Sequence, residues 1–315
     1  MRYVTYEAQG RQRVGVLDGD RVRDAGFEGD MVAFIAAGAP IGALTHVTDA
    51  RLRAPLRPRS LRDFLAFEGH LKGAFGRLGK EIPAEWYEVP AFYKGMPDTV
   101  IGPEEVLPWP WYCDRLDHEL ELAVVIGRQG RNITTEQAAH HIFGYTLWND
   151  MSARDVQRRE LPVGMGPCKA KDWDGSNVLG PCIATPDEID AANLRLTVRI
   201  NGEEWGSDST AHMHHSFADM IAYASRDQTL YPGEVLGSGT AAGGSGLELD
   251  RWLQPGDVIE LEAAGIGILR NRVGGGGTGA TAKRARTIER GETENKRGRG
   301  KKTPTPKKKH PKDYH

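Results

Sequence analysis

Glu119 and Glu121 stand two residues apart at the head of Leu116-Asp117-His118-Glu119-Leu120-Glu121-Leu122-Ala123-Val124-Val125-Ile126-Gly127, a run that turns wholly apolar beyond them. Side chains two apart on a strand share a face, so the two acids point one way with Ala123 and Val125, while Leu120, Leu122 and Val124 point the other. Because both faces are apolar after Leu122, the strand is expected to enter the interior and leave the acids at the mouth of a buried region. Buried carboxylates need a cation or a shared proton. The pair alone suits either a divalent-metal site or a half-exposed strand with a solvated acidic face, and acids from elsewhere must decide.

The elements that would position such acids can be read from periodicity and turn residues. Residues 2–6 and 13–17 read as strands, with Asp18-Gly19 turning into a third at 21–23, and 31–37 as a short helix. The proline-rich Ala54-Pro55-Leu56-Arg57-Pro58-Arg59 marks a linker. After it Ser60 can cap a helix with Asp63 at its third position, and His70 lies on that helix. Thr134 and Gln137 form a capping-box start to a helix ending near Gly144, and residues 145–150 follow as a strand ending on Asp150. Ser152 and Asp155 start another short helix carrying Arg154, Gln157 and Arg158, so polar groups gather where strand meets helix. Further strands are expected at 194–200, 234–238 and 258–262, each beside a turn signal such as Asn201-Gly202 or Pro255-Gly256-Asp257. Strands in such succession argue against an all-parallel βαβ architecture.

The chain has 315 residues and a formal net charge of -2, which conceals a division near Gly274. Residues 274–315 hold 13 Lys+Arg against 4 Asp+Glu, and the rest holds 28 basic against 39 acidic residues. An acidic body argues against nucleic acid as a partner. The tail, glycine-rich at its start and nearly free of apolar residues, cannot offset its ordering entropy and is expected to be disordered. No apolar run reaches membrane-span length, the first residues lack the apolar core of a signal peptide, and Cys113, Cys168 and Cys182 have no CxxC spacing. A cytoplasmic protein with free thiols is the expectation. His212, His214 and His215 read as structural, with no acid partner evident, and Gly265-Ile266-Gly267 lacks the third glycine of a dinucleotide site.

Over residues 60–273 several motifs, in order, resemble the fumarylacetoacetate hydrolase family. The alternating glutamates correspond to its metal ligands, here Glu119 and Glu121. Asn149-Asp150-Met151-Ser152-Ala153-Arg154-Asp155-Val156-Gln157 is similar to its long Asn-Asp-x-Ser-Ala-Arg-Asp-x-Gln motif, whose aspartate is a further ligand, here Asp150. Asp63 and His70 reproduce the seven-residue spacing between an aspartate ligand and a catalytic histidine. The resemblance also implies an active-site lysine at Lys171, substrate contacts from Arg154, Gln157, Tyr93 and Thr240, and a glutamate at Glu248 that orients the histidine. The glycines around Thr240 make no P-loop, since no Lys-Ser/Thr pair follows them.

The implied fold is a mixed, β-rich α/β body, a β-roll with flanking helices over 59–273, preceded by a small β-rich N-terminal domain at 1–58 and followed by the basic tail at 274–315. Asp63, Glu119, Glu121 and Asp150 would form an all-oxygen site suited to Mg2+, or to Ca2+ or Mn2+, with Lys171 offsetting excess negative charge. The function implied is a metal-dependent hydrolase of the type with a His-Glu pair, cleaving a carbon-carbon bond in a diketo acid of the fumarylacetoacetate or acylpyruvate kind in aromatic catabolism, with His70 activating water. One alternative keeps the site but isomerises, hydrates or decarboxylates a 2-oxo acid, as a 2-hydroxyhepta-2,4-diene-1,7-dioate isomerase does. Another is an inactive body whose basic tail binds nucleic acid. A homodimer is implied by resemblance alone.

Overall fold

In the computed structural model, which describes residues 1–77 and 81–275, the strand Leu120–Ile126 is buried at every position and divides two cores. Leu120, Leu122 and Val124 join one hydrophobic cluster with Leu196, Val198, Leu261 and Leu269, whereas Ala123 and Val125 join another with Tyr3, Phe34, Trp148 and Val235. The alternation expected of this strand is therefore what separates the two clusters. Each buried Leu or Val contributes about 1.5–3 kcal/mol, so the strand's register is strongly fixed.

Leu120–Ile126 pairs antiparallel with Ile142–Asp150 on one side and with Val235–Gly237 on the other. The same sheet continues through Asn177–Ala184 to Arg2–Ala8, Arg11–Asp18, Arg21–Asp24 and Thr45–His46 at one end, and through Leu61–Phe64 to Phe92–Gly95 at the other. The N-terminal strands thus extend the sheet of the body, joined by Arg2 opposite Ala184 and Tyr3 opposite Ile183. A five-stranded sheet runs Glu203–Ser209, Arg195–Ile200, Val258–Ala263, Gly267–Val273, Val106–Leu107. Nearly all pairings are antiparallel, in keeping with the strand succession in the sequence. Asn201 and Gly202 both have positive φ, as a tight hairpin between Arg195–Ile200 and Glu203–Ser209 requires.

Three local expectations need correction. Residues 61–64 form a buried strand rather than the first turn of a helix, paired in parallel with Val235–Gly237 and antiparallel with Phe92–Gly95; the helix begins later, as Glu68–Arg77. Sheet pairing on both edges outweighs the local capping pattern at Ser60, whose hydroxyl instead bonds Glu234. The capping box at Thr134 survives as one contact, its N–H donating to Gln137 Oε1, but opens only a 3-10 turn at Ala138–His141 before the strand resumes. Ser152 belongs to a short strand with Ala153, and Asp155 accepts the N–H groups of Asp114 and Arg115 rather than capping Arg154–Glu160.

Cys113, Cys168 and Cys182 are free thiols. Among the described residues no helix is long and apolar enough to cross a membrane. The basic segment expected to be disordered lies, from residue 276 onward, outside the described residues.

Candidate active site

Four separate segments deliver carboxylates to one point. Asp63 comes from Leu61–Phe64, Glu121 from Leu120–Ile126, Asp150 from the last position of Ile142–Asp150, and Glu119 from just ahead of its strand, bridged to Ser245. One oxygen of each lies within 4.8 Å of the others, and all four side chains are buried. Neighbouring groups set them in place: Asp63 Oδ1 accepts the Gly239 N–H at 3.1 Å, and the Glu119 N–H donates to Asn149 Oδ1 at 3.1 Å. Gly237 lies beside Asp63 across the parallel pairing, where a Cβ would stand 2.7 Å from Asp63 Oδ1.

The electrostatics of the four differ. Burial, reinforced by the neighbouring carboxylates, pushes Asp63 and Glu121 well above the usual range. Burial also raises Asp150, to about 6, with Lys171 and Glu119 pulling in opposite directions. Burial would raise Glu119 too, but Lys171 and Arg154 beside it hold it well below the usual range. Lys171 Nζ pairs with Glu119 Oε2 and Asp150 Oδ2, and an Arg154 guanidinium nitrogen lies 2.6 Å from Glu119 Oε1 in an ion pair that lacks hydrogen-bond geometry.

Two cations face four carboxylates, which leaves an excess of two negative charges if all are ionised. Both oxygens of Glu121 and Oδ1 of Asp150 have no hydrogen-bond partner. Unpaired buried carboxylates cost several kcal/mol, so a set that converges with oxygens unclaimed fits a bound divalent cation, and an all-oxygen set fits a hard one. Asp63, Glu119, Glu121 and Asp150 would hold it.

His70, on Glu68–Arg77, is buried with Nδ1 2.9 Å from Oε2 of Glu248. Glu248 lies in the short helix Gly246–Leu249 and also accepts the Gly243 N–H and the Ser245 hydroxyl, both at 2.9 Å. A carboxylate already serving two donors is an acceptor toward the ring as well, so Nδ1 is the nitrogen that donates to Glu248, and Nε2 is the ring nitrogen left to face a substrate. Gly73, one turn beyond His70, permits the approach: a Cβ there would stand 3.0 Å from Glu248 Oε1.

Other residues singled out in the sequence have more specific partners. Tyr93, in register with Asp63, donates its hydroxyl to Asp150 Oδ2 at 2.7 Å, so it borders the acidic cluster. Arg154 is engaged with Asp117 and Glu119, and its Nη1 donates to Gln157 Oε1 at 3.0 Å. Because a guanidinium only donates, Gln157 turns its amide N–H groups away from Arg154. Thr240 is buried one residue past Gly239. His214 and His215 bond the carbonyls of Tyr87 and Trp86; His212 does have an acid partner, Asp208, 2.5 Å away, which the sequence reading had missed because the carboxylate comes from a strand end one turn earlier.

Two further residues escaped the sequence reading. Asp117 is fully buried and accepts from Arg154 and from the turn that carries Glu248; its signal was its place two residues before Glu119. Glu160 accepts three successive N–H groups, those of Cys168, Lys169 and Ala170, and so ties the end of Arg154–Glu160 to the turn bearing Lys171. No local pattern marks that contact.

Comparison with known proteins places these residues in context. The family profile described as "Fumarylacetoacetate (FAA) hydrolase C-terminal" matches residues 60–274. Oxaloacetate tautomerase YisK of Bacillus subtilis is 32% identical over 231 residues, covering 72% of this chain and 74% of that protein. Among solved structures, a fumarylacetoacetate hydrolase from Exiguobacterium antarcticum superposes with a TM-score of 0.75 at 30% identity, covering 87% of this chain and 99% of that one. A 2-hydroxyhepta-2,4-diene-1,7-dioate isomerase from Mycobacterium marinum gives 0.70 at 25% identity, covering 88% and 100%.

Proposed function

The chain belongs to the fumarylacetoacetate hydrolase family, and from that premise we propose that it is a divalent-metal-dependent enzyme that shifts a proton on a 2-oxo acid, as a tautomerase or isomerase. This departs from the hydrolysis expected of the sequence, because similar proteins include an oxaloacetate tautomerase and a heptadienedioate isomerase. The observation that carries it is the similarity to an oxaloacetate tautomerase over 72% of this chain; the His70–Glu248 pair and the four converging carboxylates supply the base and the ligand set that either reaction would need.

A cation held by Asp63, Glu119, Glu121 and Asp150, Mg2+ being the leading choice and Mn2+ or Ca2+ the others, would supply Lewis acidity toward the chelated carbonyl and carboxylate of the substrate. His70 Nε2 takes a proton from the carbon beside that carbonyl, and Glu248 stabilises the resulting imidazolium through Nδ1–H. The same imidazolium returns the proton to a more distant carbon in isomerisation or to oxygen in enolisation; ketonisation is the reverse of the latter, with His70 taking the proton of the enol hydroxyl and delivering it to the carbon beside the carbonyl. Lys171 and Arg154 keep Glu119 ionised and ready to serve as a ligand. Gln157 presents N–H donors to a substrate oxygen.

The purified full-length protein with Mg2+ is expected to speed the enol-to-keto conversion of oxaloacetate, read as loss of enol absorbance. Chelator should remove the activity, and His70→Ala should lower kcat by about 10²–10⁴-fold. The second reading, carbon-carbon hydrolysis of an acylpyruvate, draws on the same pair: His70 takes a proton from water, hydroxide adds to the distal carbonyl, the carbon-carbon bond breaks, and the pyruvate fragment keeps the electron pair and regains the proton. Its support is the 0.75 TM-score to a fumarylacetoacetate hydrolase. Release of pyruvate from acylpyruvates without any effect on oxaloacetate would replace the first reading with the second; inertness toward both would overturn both.

A further inference from the structure

Asp117 is fully buried and bonded on both oxygens, to Arg154, which pairs with Glu119 of the carboxylate cluster, and to the turn that carries Glu248. Oδ1 accepts the N–H groups of His118 at 2.9 Å and Gly246 at 2.8 Å; Oδ2 accepts the N–H of Leu247 at 3.0 Å and Nε of Arg154 at 2.8 Å. Gly246 and Leu247 are the first two residues of the short helix that carries Glu248. Arg154 opens its own helix and reaches Glu119 and Gln157 with its remaining nitrogens. The strand Ser152–Ala153, immediately before Arg154, pairs with Leu116–Asp117 itself. Close approach of the turn depends on glycine, since a Cβ on Gly246 would stand 2.7 Å from Asp117 Oδ1.

We propose that Asp117 is a positioning residue that sets Arg154 and the Glu248 turn from a single carboxylate, and so keeps the acid–base pair in fixed relation to the metal cluster. The inference rests on the reading of His70 as the base. Its chemistry is an inventory of donors: four N–H groups converge on two oxygens, and each oxygen serves the Glu248 turn. An amide in place of the carboxylate has one acceptor oxygen, and its NH2 must face N–H donors whichever way it turns. Asp117→Asn therefore loosens the turn in either orientation, while leaving every carboxylate of the metal cluster in place.

The experiment is a double-mutant cycle on the full-length, Mg2+-loaded protein with Asp117→Asn, Glu248→Gln and both together, following oxaloacetate ketonisation and, separately, Mn2+ affinity. D117N should lower kcat by about 100-fold, with KM within about threefold and Mn2+ still bound. Because Asp117 holds the Glu248 turn as well as Arg154, the two losses should overlap, and the double variant should be slower than E248Q by much less than the loss that D117N causes alone. Losses that multiply, or a D117N defect confined to Mn2+ affinity or stability, would overturn the inference. A readout independent of turnover separates it from the functional reading: the downfield Nδ1–H proton resonance of His70 should move or vanish in D117N as in E248Q, even if the wild type is inert toward oxaloacetate. An unchanged resonance in D117N overturns the positioning role alone. Asp117→Ser, which keeps one acceptor and cannot reach Arg154, is the second variant; if neither variant folds, Asp117 is an anchor of the fold and the inference falls.

Discussion

Arg62 and Asp63 are neighbours on one buried strand, yet they belong to two charge networks of opposite design. Arg62 pairs with Glu234, whose carboxylate also takes the Ser60 hydroxyl and the Tyr231 N–H; Arg62 Nη1 donates to Ser60 Oγ as well, at 2.8 Å, and Nε is buried without a hydrogen-bond partner. Charge there is balanced one for one. Asp63 joins three other carboxylates that face two cations, with three oxygens unclaimed. Both networks sit in the same sheet at similar burial, so burial alone does not distinguish a structural pair from a site. The imbalance does: the closed pair completes itself, whereas the cluster is complete only with an added positive charge.

Variants at the two networks should respond in opposite ways. Glu121→Gln is expected to reduce metal-dependent activity by more than about 10³-fold, yet to raise the melting temperature of the metal-free protein at high pH, where Glu121 would otherwise have to ionise in the interior beside other carboxylates. A lower melting temperature in the metal-free variant would show that Glu121 is satisfied in some other way. Glu234→Ala leaves Arg62 buried and unpaired, and should cost about 3–5 kcal/mol in denaturant unfolding, with or without Mg2+. If added Mg2+ changed that cost, the two networks would not be independent.

The cluster also predicts a pH dependence. Asp63 and Glu121 have folded-state values raised above their ordinary 3.8 and 4.5, so their protonated forms are favoured by folding. Stability from them is fully present below those ordinary values and is lost as pH rises through the raised ones. The metal-free protein should therefore lose melting temperature with rising pH, and the increment from Mg2+ should grow over the same interval, since the cation favours the ionised carboxylates. A pH-independent increment in a thermal-shift titration would contradict this. The smallest effect is expected at Gly237→Ala, where the new Cβ would meet the Trp148 ring at 2.6 Å and Asp63 Oδ1 at 2.7 Å. About 1–3 kcal/mol of overpacking is expected, together with weaker Mn2+ binding measured by calorimetry.

Much of the site could be read from the chain because it depends on short-range periodicity. Two-residue alternation put Glu119 and Glu121 on one face and separated the apolar residues that the two cores divide between them. A strand ending at Asp150 was legible for the same reason. Asp63 was misplaced on a helix because a capping pattern is visible locally, whereas pairing with Val235–Gly237 brings in partners more than 170 residues away. The approach of Glu248 to His70 spans 178 positions, and resemblance to a family suggested it where spacing could not. Asp117 was passed over because its four donors come from three places in the sequence.

By itself, then, the sequence determined which side chains could bind a hard cation, since oxygen ligands and period-two placement are properties of residue type and order. Tertiary structure alone decided which of them are left unpaired, which nitrogen of His70 is free, and that Arg154 is held by Asp117 and Glu119. Those outcomes depend on desolvation and on donors arriving from distant segments, and burial in a folded interior is what turns a missing partner into a binding site.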